Sequence, residues 1–253
     1  MTPDPTNRTE GPPSPVGGAG DPGPAAGANR RPAADRWYGR GQGRPLRPRQ
    51  QALLDEVLPA LALPQTGPLL LSDRFGDRPV WLEIGCGGGE HAAWQLAHTP
   101  DIALIACEPF VNGIASLLGH AVADGTTDRL AVWPAPAQPL LERIPDASID
   151  RAFVLFPDPW PKQRHHKRRF VQARNLDRLA RVLRTGAELR VATDHTDYLE
   201  WMLAALLAHP AFQWRARGPS DWTQRPGDWP ATRYEQKAAR DGIVSSYLRF
   251  LRV

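Results

Sequence analysis

The chain has 253 residues, of which 42% are apolar, so it is long enough to bury a sizeable hydrophobic core. No apolar run approaches the ~18 residues of a membrane span, and the N-terminal residues lack the apolar core of a signal peptide, so we expect a cytoplasmic protein without membrane association. The net charge of +4 excludes little by itself, because basicity indicates a nucleic-acid partner only where it is clustered.

The cysteine content argues against a stapled or metal-bound fold. The two cysteines, Cys86 and Cys107, are too few for a disulfide framework. Neither has a further cysteine or histidine at the spacing of zinc ligands, so we expect no metal site. We expect a monomer or a weak oligomer.

The N-terminal part of the chain divides into a tail and an arm. Residues 1–36 are rich in Pro, Gly and Ala, and we expect a disordered tail because such a segment cannot offset its ordering entropy. Residues 37–253 are predicted to form a single domain, whose first part, 37–63, is a basic arm followed by a helix. The arm, Trp37 to Arg49, is rich in arginine and has no acid, so it is either a nucleic-acid contact or a solvated arm. The helix is indicated by the apolar rhythm of "QQALLDEVLPALAL".

From Val80 onward, short apolar runs alternate with segments of helical periodicity. The predicted strands are "VWLEI", "IALIAC", "RLAVW", "DRAFVLF", "AELRVAT" and the final "IVSSYLRFLRV". The predicted helices are "HAAWQLAHT", "VNGIASLLGHAVAD", "FVQARNLDRLARVL" and "TDYLEWMLAALLAH". This alternation predicts an α/β fold with a doubly wound, mostly parallel sheet and a final antiparallel strand. Such sheets bind ligands at the carboxyl ends of their strands.

A glycine-rich turn, "LEIGCGGGEH", follows the first strand. Gly85 and Gly87 let the backbone approach a ligand closely, although a tight turn without a ligand is the alternative. Glu83 precedes the turn, and Glu108 ends the second strand, where an acid reaches ribose hydroxyls. The turn lacks the final glycine of a dinucleotide site, and carboxylates near it would repel a pyrophosphate. The pattern suits a cofactor with a cationic centre, such as S-adenosylmethionine.

The stretch "FPDPWPKQRHHKRRF" follows the fourth strand. Pro157 and Pro159 fix the backbone around Asp158, and Trp160 offers a stacking face for a base. The run from Lys162 to Arg169 contains five cationic side chains and no acid, so it is predicted to contact the phosphates of a nucleic acid. The alternative is a solvated helix face.

These motifs resemble the bacterial tRNA (guanine-N7-)-methyltransferases. The resemblance covers Trp37 to Val253 and is carried by "LEIGCGGGEH", "CEPFVNG", "FPDPWPKQRHHKRRF", "ATDHTDYLEWM" and "TRYEQKAARDG". It implies a class I, Rossmann-like methyltransferase that transfers a methyl group from S-adenosylmethionine to N7 of a guanine in the tRNA variable loop, forming 7-methylguanosine. The partner implied is therefore tRNA.

The resemblance also implies roles for individual residues. It assigns Glu83, Glu108 and Asp158 to the cofactor and makes Asp158 the catalytic residue. The implied substrate contacts are Lys162, Asp194, Thr232, Arg233, Tyr234 and Glu235, and the implied RNA contacts are Arg164, His165, His166, Lys167, Arg168 and Arg169. Because guanine N7 carries a lone pair and no proton, Asp158 is expected to orient the base and stabilise its developing charge, and not to remove a proton.

Some readings remain open at this stage. Where the family usually places an acidic or amide residue near the adenine, this chain has Ala135, with Gln138 as the nearest polar candidate. On the residues alone, Asp194 is read as a helix N-cap. The competing functions are a non-catalytic RNA-binding module on a methyltransferase scaffold, an NAD-type oxidoreductase and a methyltransferase for a free small molecule.

Overall fold

The computed structural model describes residues 41–253. The predicted tail at 1–36 and the first residues of the basic arm, 37–40, lie outside the described residues. No helix within 41–253 is both long and apolar enough to cross a membrane. In the same range, no group of three or more His, Cys, Asp or Glu side chains has the arrangement of a metal site.

A seven-stranded sheet forms the centre of the fold. Its strands are β1 (Val80–Ile84), β2 (Ala103–Cys107), β3 (Leu130–Trp133), β4 (Ile149–Leu155), β5 (Leu183–Thr193), β6 (Phe212–Trp214) and β7 (Ser246–Arg252). The strand order is β3-β2-β1-β4-β5-β7-β6. Strands β1 to β5 are parallel, and β7 is antiparallel to both β5 and β6. The predicted fold class is therefore confirmed, including the final antiparallel strand.

Helices pack on both faces of this sheet. They are α1 (Pro48–Ala52), α2 (Leu58–Leu61), α3 (Leu71–Phe75), α4 (Glu90–His98), α5 (Val111–Ala123), α6 (Ala137–Leu141), α7 (Ala173–Val182), α8 (Thr196–Leu207), α9 (Ser220–Thr223) and α10 (Arg233–Arg240). The predicted leading helix is present as α1 and α2 joined by a π-helical segment, Leu53–Val57. Most of the basic run folds as a short 3₁₀ helix, Gln163–Arg168.

The two faces of the sheet bury separate apolar clusters. On β1, Leu82 and Ile84 belong to one cluster, and Trp81 belongs to the other. Because both faces are covered, every residue of β1 and of β2 is buried, which is why these strands read as continuous apolar runs in the sequence. Cys86 and Cys107 are free thiols in this interior, and burial raises the pKa of both.

Candidate functional site

A cavity of about 660 Å³ opens at the carboxyl ends of the central parallel strands. Its volume lies in the range of roughly 300–1,000 Å³ that is usual for small-molecule and cofactor sites. The lining includes the predicted site residues Gly85, Glu108, Asp158 and Arg168, together with Trp160, the predicted stacking face. The structure therefore brings the glycine turn, the acid after β2 and the "PDPW" turn to one site.

Glu108 is held rigidly at the cavity wall. One carboxylate oxygen accepts a hydrogen bond from the backbone N–H of Gly87 at 2.7 Å, and the other accepts from the N–H of Phe110 at 2.9 Å. Burial raises the pKa of Glu108, and the two backbone donors oppose that rise by stabilising the ionised form. The carboxylate is thus oriented by the glycine turn that it faces.

The glycine turn needs its glycines for two different reasons. Gly85 and Gly87 have φ of 73° and 54°, the left-handed region, and a Cβ on either residue would meet no atom within 4 Å. Gly89 has φ of 78°, and a Cβ there would lie 2.6 Å from the Cβ of Leu117 on α5. The first two glycines allow the turn itself, whereas Gly89 also allows close packing of helix α5.

Glu83 does not line the cavity. It is buried, with one carboxylate oxygen 2.8 Å from Nδ1 of His91. Because a carboxylate only accepts, the imidazole donates there, and its Nε2 accepts from the Gln95 amide at 3.1 Å. The same amide donates to the backbone oxygen of Asp228 at 2.9 Å. The structure thus places Glu83 in a buried chain of hydrogen bonds whose other members had no sequence signal, because a buried partner is recognisable only after folding.

The turn after β4 is conformationally strained. Phe156 and Trp160 both have positive φ, 48° and 44°, although neither is glycine. Such conformations cost about 1–3 kcal/mol each and persist where the surrounding structure holds them. Between them, the Asp158 side chain is exposed at the cavity rim, yet the surrounding protein desolvates it enough to raise its pKa. A carboxylate at a strained, preformed turn is typical of a functional site.

Most cations of the basic run form a rim beside Asp158. Lys162, Arg164 and Lys167 are exposed, as expected for phosphate contacts. The Arg168 guanidinium lies 5.0 Å from the centroid of the Trp160 ring, and it lines the cavity together with that ring. His165 meets the same ring edge-on, with the centroids 6.0 Å apart. This rim therefore combines surface charge with an aromatic face.

Two residues of the basic run, His166 and Arg169, face the interior. His166 is half-buried, with its imidazole 5.5 Å from the Trp201 ring. Arg169 is fully buried: its Nε donates to the carbonyl oxygen of Pro159 at 2.8 Å, and its guanidinium pairs with Asp197. The grouping of Arg169 with the exposed RNA contacts therefore needs correction, because helix α8 covers this side chain and removes it from the surface.

The segment Thr232–Glu235 begins helix α10. Thr232 and Glu235 form a capping box, in which the Glu235 N–H donates to Thr232 Oγ1 at 3.2 Å and the Thr232 N–H donates to Glu235 Oε2 at 3.1 Å. Glu235 is buried and also accepts from the Tyr247 hydroxyl at 2.8 Å. These two side chains shape the segment, while Arg233 and Tyr234 are exposed.

Contacts of α10 bring this segment to the site. The Tyr234 hydroxyl donates to Asp194 at 3.0 Å, and its ring lies 5.1 Å from Phe156 at the strained turn. Burial and the Asp194 carboxylate raise the pKa of Tyr234 to about 12, so the hydroxyl remains a donor. Arg233 pairs with Glu90 at the start of α4, beside the glycine turn. The segment therefore bridges the cofactor side and the Asp194 side.

Two further sequence readings are decided by the geometry. The N-cap reading of Asp194 is wrong, because His195 precedes α8 without a side-chain cap and the Asp194 carboxylate accepts from Tyr234. Ala135 and Gln138 both line the cavity, so the departure from the family pattern lies in the cavity wall and an amide stands three residues away.

Comparisons with known proteins agree with this architecture. A family model described as "Putative methyltransferase" matches residues 77–245. A protein of Rhodospirillum rubrum named tRNA (guanine-N(7)-)-methyltransferase is 47% identical over 225 residues, covering 86% of this chain and 88% of the relative. A protein of the same name from Roseobacter denitrificans is 49% identical over 224 residues, covering 85% and 95%. A third, from Ruegeria pomeroyi, is 48% identical over 225 residues, covering 86% and 94%.

Proposed function

The chain belongs to the tRNA (guanine-N(7)-)-methyltransferase family, and we propose that it transfers the methyl group of S-adenosylmethionine to N7 of a guanine in the variable loop of tRNA. The observation that carries the proposal is the single cavity that joins Glu108 to Asp158, Trp160 and Arg168. In this cavity, the residues that we propose for the cofactor lie next to those that we propose for the base, and exposed cations lie at the rim.

The residues on the cofactor side fit S-adenosylmethionine. Glu108 presents a fixed carboxylate that suits the two hydroxyls of a ribose, and Gly85 lets the backbone come close. Gln138 lines the same cavity as Ala135 and offers an amide for an adenine edge. The glycine turn lacks the final glycine of a dinucleotide site, which counts against the NAD-type alternative. When bound, the cofactor supplies an electrophilic methyl group on a positively charged sulfur.

The residues on the substrate side have the chemistry for a guanine. Asp158 offers a carboxylate that accepts hydrogen bonds from donors on the base edge, in the same sense as acidic side chains read bases in a groove. Trp160, with Arg168 over its ring, offers a flat face for stacking. No proton is removed from N7, so the task of these groups is alignment and stabilisation of the positive charge that develops on the ring.

The cations at the rim suit the backbone of a folded RNA. Lys162 immediately precedes the 3₁₀ segment and Arg164 and Lys167 belong to it, and all three are exposed next to the cavity, where phosphates around the target base would lie. Asp194, Arg233 and Tyr234 close the other side. A free small molecule would not need this charged rim, so tRNA is the substrate that we propose.

The test is methyl transfer from labelled S-adenosylmethionine to unmodified bulk tRNA, followed by nucleoside mass spectrometry. Label in 7-methylguanosine is the expected result. Label in another nucleoside would contradict the role given to Asp158, and tRNA binding without any label would favour the non-catalytic module. The matched control is Asp158→Asn, which should bind tRNA as the wild type does and transfer label about 10²–10³-fold more slowly.

A further inference from the structure

A buried guanidinium lies directly behind the Asp158 turn. Arg169 is 0% exposed, and its charged group lies 4.9 Å from the Tyr198 ring centroid and 5.1 Å from that of Trp201. A buried cation is unfavourable unless it is paired and hydrogen-bonded, and Arg169 is both: it pairs with Asp197 and donates to Pro159. Because the Arg169 guanidinium is buried, contact with RNA phosphates at the surface does not explain its position.

The acceptor at Pro159 connects Arg169 to the catalytic turn. This carbonyl belongs to the residue after Asp158, between the two positive-φ residues Phe156 and Trp160. A strained turn keeps its geometry only where neighbouring groups hold it. The 2.8 Å hydrogen bond from Arg169 to the Pro159 carbonyl stabilises the turn in this way. Because this bond is made to the backbone, it fixes the direction of the Asp158 side chain without contacting that side chain.

The other partner connects Arg169 to the turn after β5. Asp197 lies in the first turn of α8, three residues after Asp194. Two further contacts join α8 to the chain that follows Arg169: the Val171 N–H donates to the Tyr198 hydroxyl oxygen at 3.2 Å, and the Trp201 indole N–H donates to the Val171 carbonyl at 2.6 Å. Arg169 is therefore the charged link between the Asp158 turn and the helix that begins beside Asp194.

We propose that Arg169 and Asp197 form a positioning pair that sets the Asp158 turn relative to the Asp194 turn during methyl transfer. The inference rests on the proposed function, since it concerns the alignment of that reaction. Under this inference, Arg169 no longer belongs to the predicted RNA contacts. Asp197, for which the sequence predicted no role, acts by positioning Arg169. Neither residue is a catalytic residue, because neither lines the cavity.

Two variants test the pair. Arg169→Lys keeps the positive charge but loses the planar fork that reaches Pro159 and Asp197 together. We expect its kcat to fall by roughly 10²-fold, the size of effect that a misplacement of about 1 Å produces. Asp197→Asn keeps an oxygen acceptor and removes the charge, so we expect a kcat loss on the order of 10-fold. The Asp197 side chain is 53% exposed, so this variant should fold even where Arg169→Lys does not.

The readout must separate positioning from RNA binding and from general stability. We expect the tRNA dissociation constant, its salt dependence and the cofactor dissociation constant to stay at wild-type values in both variants. Asp146→Asn is the matched control. Asp146 also pairs with an arginine, Arg181, that donates hydrogen bonds to backbone carbonyls. Asp146 lies before the amino end of β4, at the opposite end of that strand from the Asp158 turn. Its kcat should equal that of the wild type.

Each possible result of these measurements supports or overturns the positioning role of Arg169 and Asp197. A wild-type kcat in both variants overturns the inference. Weaker tRNA binding with a flatter salt dependence and an unchanged kcat at saturating tRNA would also overturn it and return Arg169 to the RNA contacts. If Arg169→Lys fails to fold, Asp197→Asn decides alone. A wild-type protein that methylates no tRNA overturns the proposed function, whereas an active wild type with fully active variants overturns only this inference.

Discussion

Helix α5 packs so closely against the glycine turn that one added methyl group should disturb the cofactor site. A Cβ at Gly113 would lie 2.3 Å from the backbone oxygen of Gly87, 3.0 Å from its carbonyl carbon and 3.3 Å from Cγ of Glu108. Two of these atoms belong to the backbone and cannot rotate away. In Gly113→Ala, the turn and the helix must therefore separate by about 1 Å to reach ordinary van der Waals distance.

The expected loss of cofactor affinity follows from the hydrogen bond between Gly87 and Glu108. The Gly87 N–H donates to Glu108 at 2.7 Å, and a hydrogen bond to a charged group contributes about 1.5–3 kcal/mol. Stretching or breaking it frees the carboxylate that we assign to the ribose, so the dissociation constant of S-adenosylmethionine should rise by about 10-fold or more. Overpacking should also lower the free energy of unfolding by about 1–3 kcal/mol.

The same helix supplies the control. A Cβ at Gly119 would lie 3.6 Å from Cδ1 of Leu53, an ordinary contact, so Gly119→Ala should stabilise the helix by about 0.5–1 kcal/mol and leave cofactor binding unchanged. Isothermal titration calorimetry measures cofactor binding, and thermal unfolding measures stability. A Gly113→Ala protein with wild-type affinity and the same Tm as Gly119→Ala would refute the reasoning.

Three further predictions concern the substrate side. Asp158→Asn should lower kcat by about 10²–10³-fold. Since desolvation by the surrounding protein raises the pKa of Asp158 in the folded state, ionisation of this carboxyl destabilises the fold. The variant should therefore have the higher Tm at neutral pH, and the difference should vanish at acidic pH. Charge reversal at the exposed Arg164 and Lys167 should raise the KM for tRNA and reduce the slope of its salt dependence by roughly 0.7–0.9 per lost phosphate contact. Thr232→Val should lose the N-cap bond to Glu235, lower stability by about 1 kcal/mol, and weaken tRNA binding without changing cofactor binding.

Each of these predictions has a result that would contradict it. For Asp158, a near-normal kcat would exclude the catalytic role, and a Tm difference that grows toward acidic pH would reverse the sign of the pKa argument. For the basic rim, unchanged tRNA binding across salt concentrations would place the RNA elsewhere. For Thr232, tRNA binding that survives an equal loss of stability would show that the cap supports α10 without serving the substrate.

The fold was predictable because its signal is local. Strands buried on both faces must be apolar throughout, so Val80–Ile84 and Ala103–Cys107 stand out without any knowledge of their neighbours. The strand Phe212–Trp214 was not predicted, because three residues paired at a sheet edge leave no period to detect. The positions of Glu108 and Asp158 followed from the rule that ligands bind at the carboxyl ends of parallel strands.

The roles of Glu83 and Arg169 were not predictable, because burial decides both. In the sequence, Arg169 closes a run of like charges, and Glu83 precedes a glycine turn, so each is grouped with its neighbours. In the fold, Arg169 turns into the interior beneath α8, and Glu83 points to His91 on α4. Side chains that follow one another in sequence separate in space when the backbone adopts a 3₁₀ segment or ends a strand.

The same contacts explain how a strained site is maintained. The turn that carries Asp158 has two positive-φ residues and a desolvated carboxylate, and each of these features is unfavourable alone. Arg169 donates a hydrogen bond to the backbone of this turn, and the Tyr234 ring packs on Phe156. The Gln95 amide donates to the backbone oxygen of Asp228, in the chain that leads to α10. Gln95 lies on α4, Tyr234 lies on α10, and Arg169 is itself paired with Asp197 on α8. Since these helices are distant in sequence, the geometry of the site exists only in the complete fold. Variants far from the cavity that loosen α8 should therefore lower kcat before they lower the affinity for either ligand.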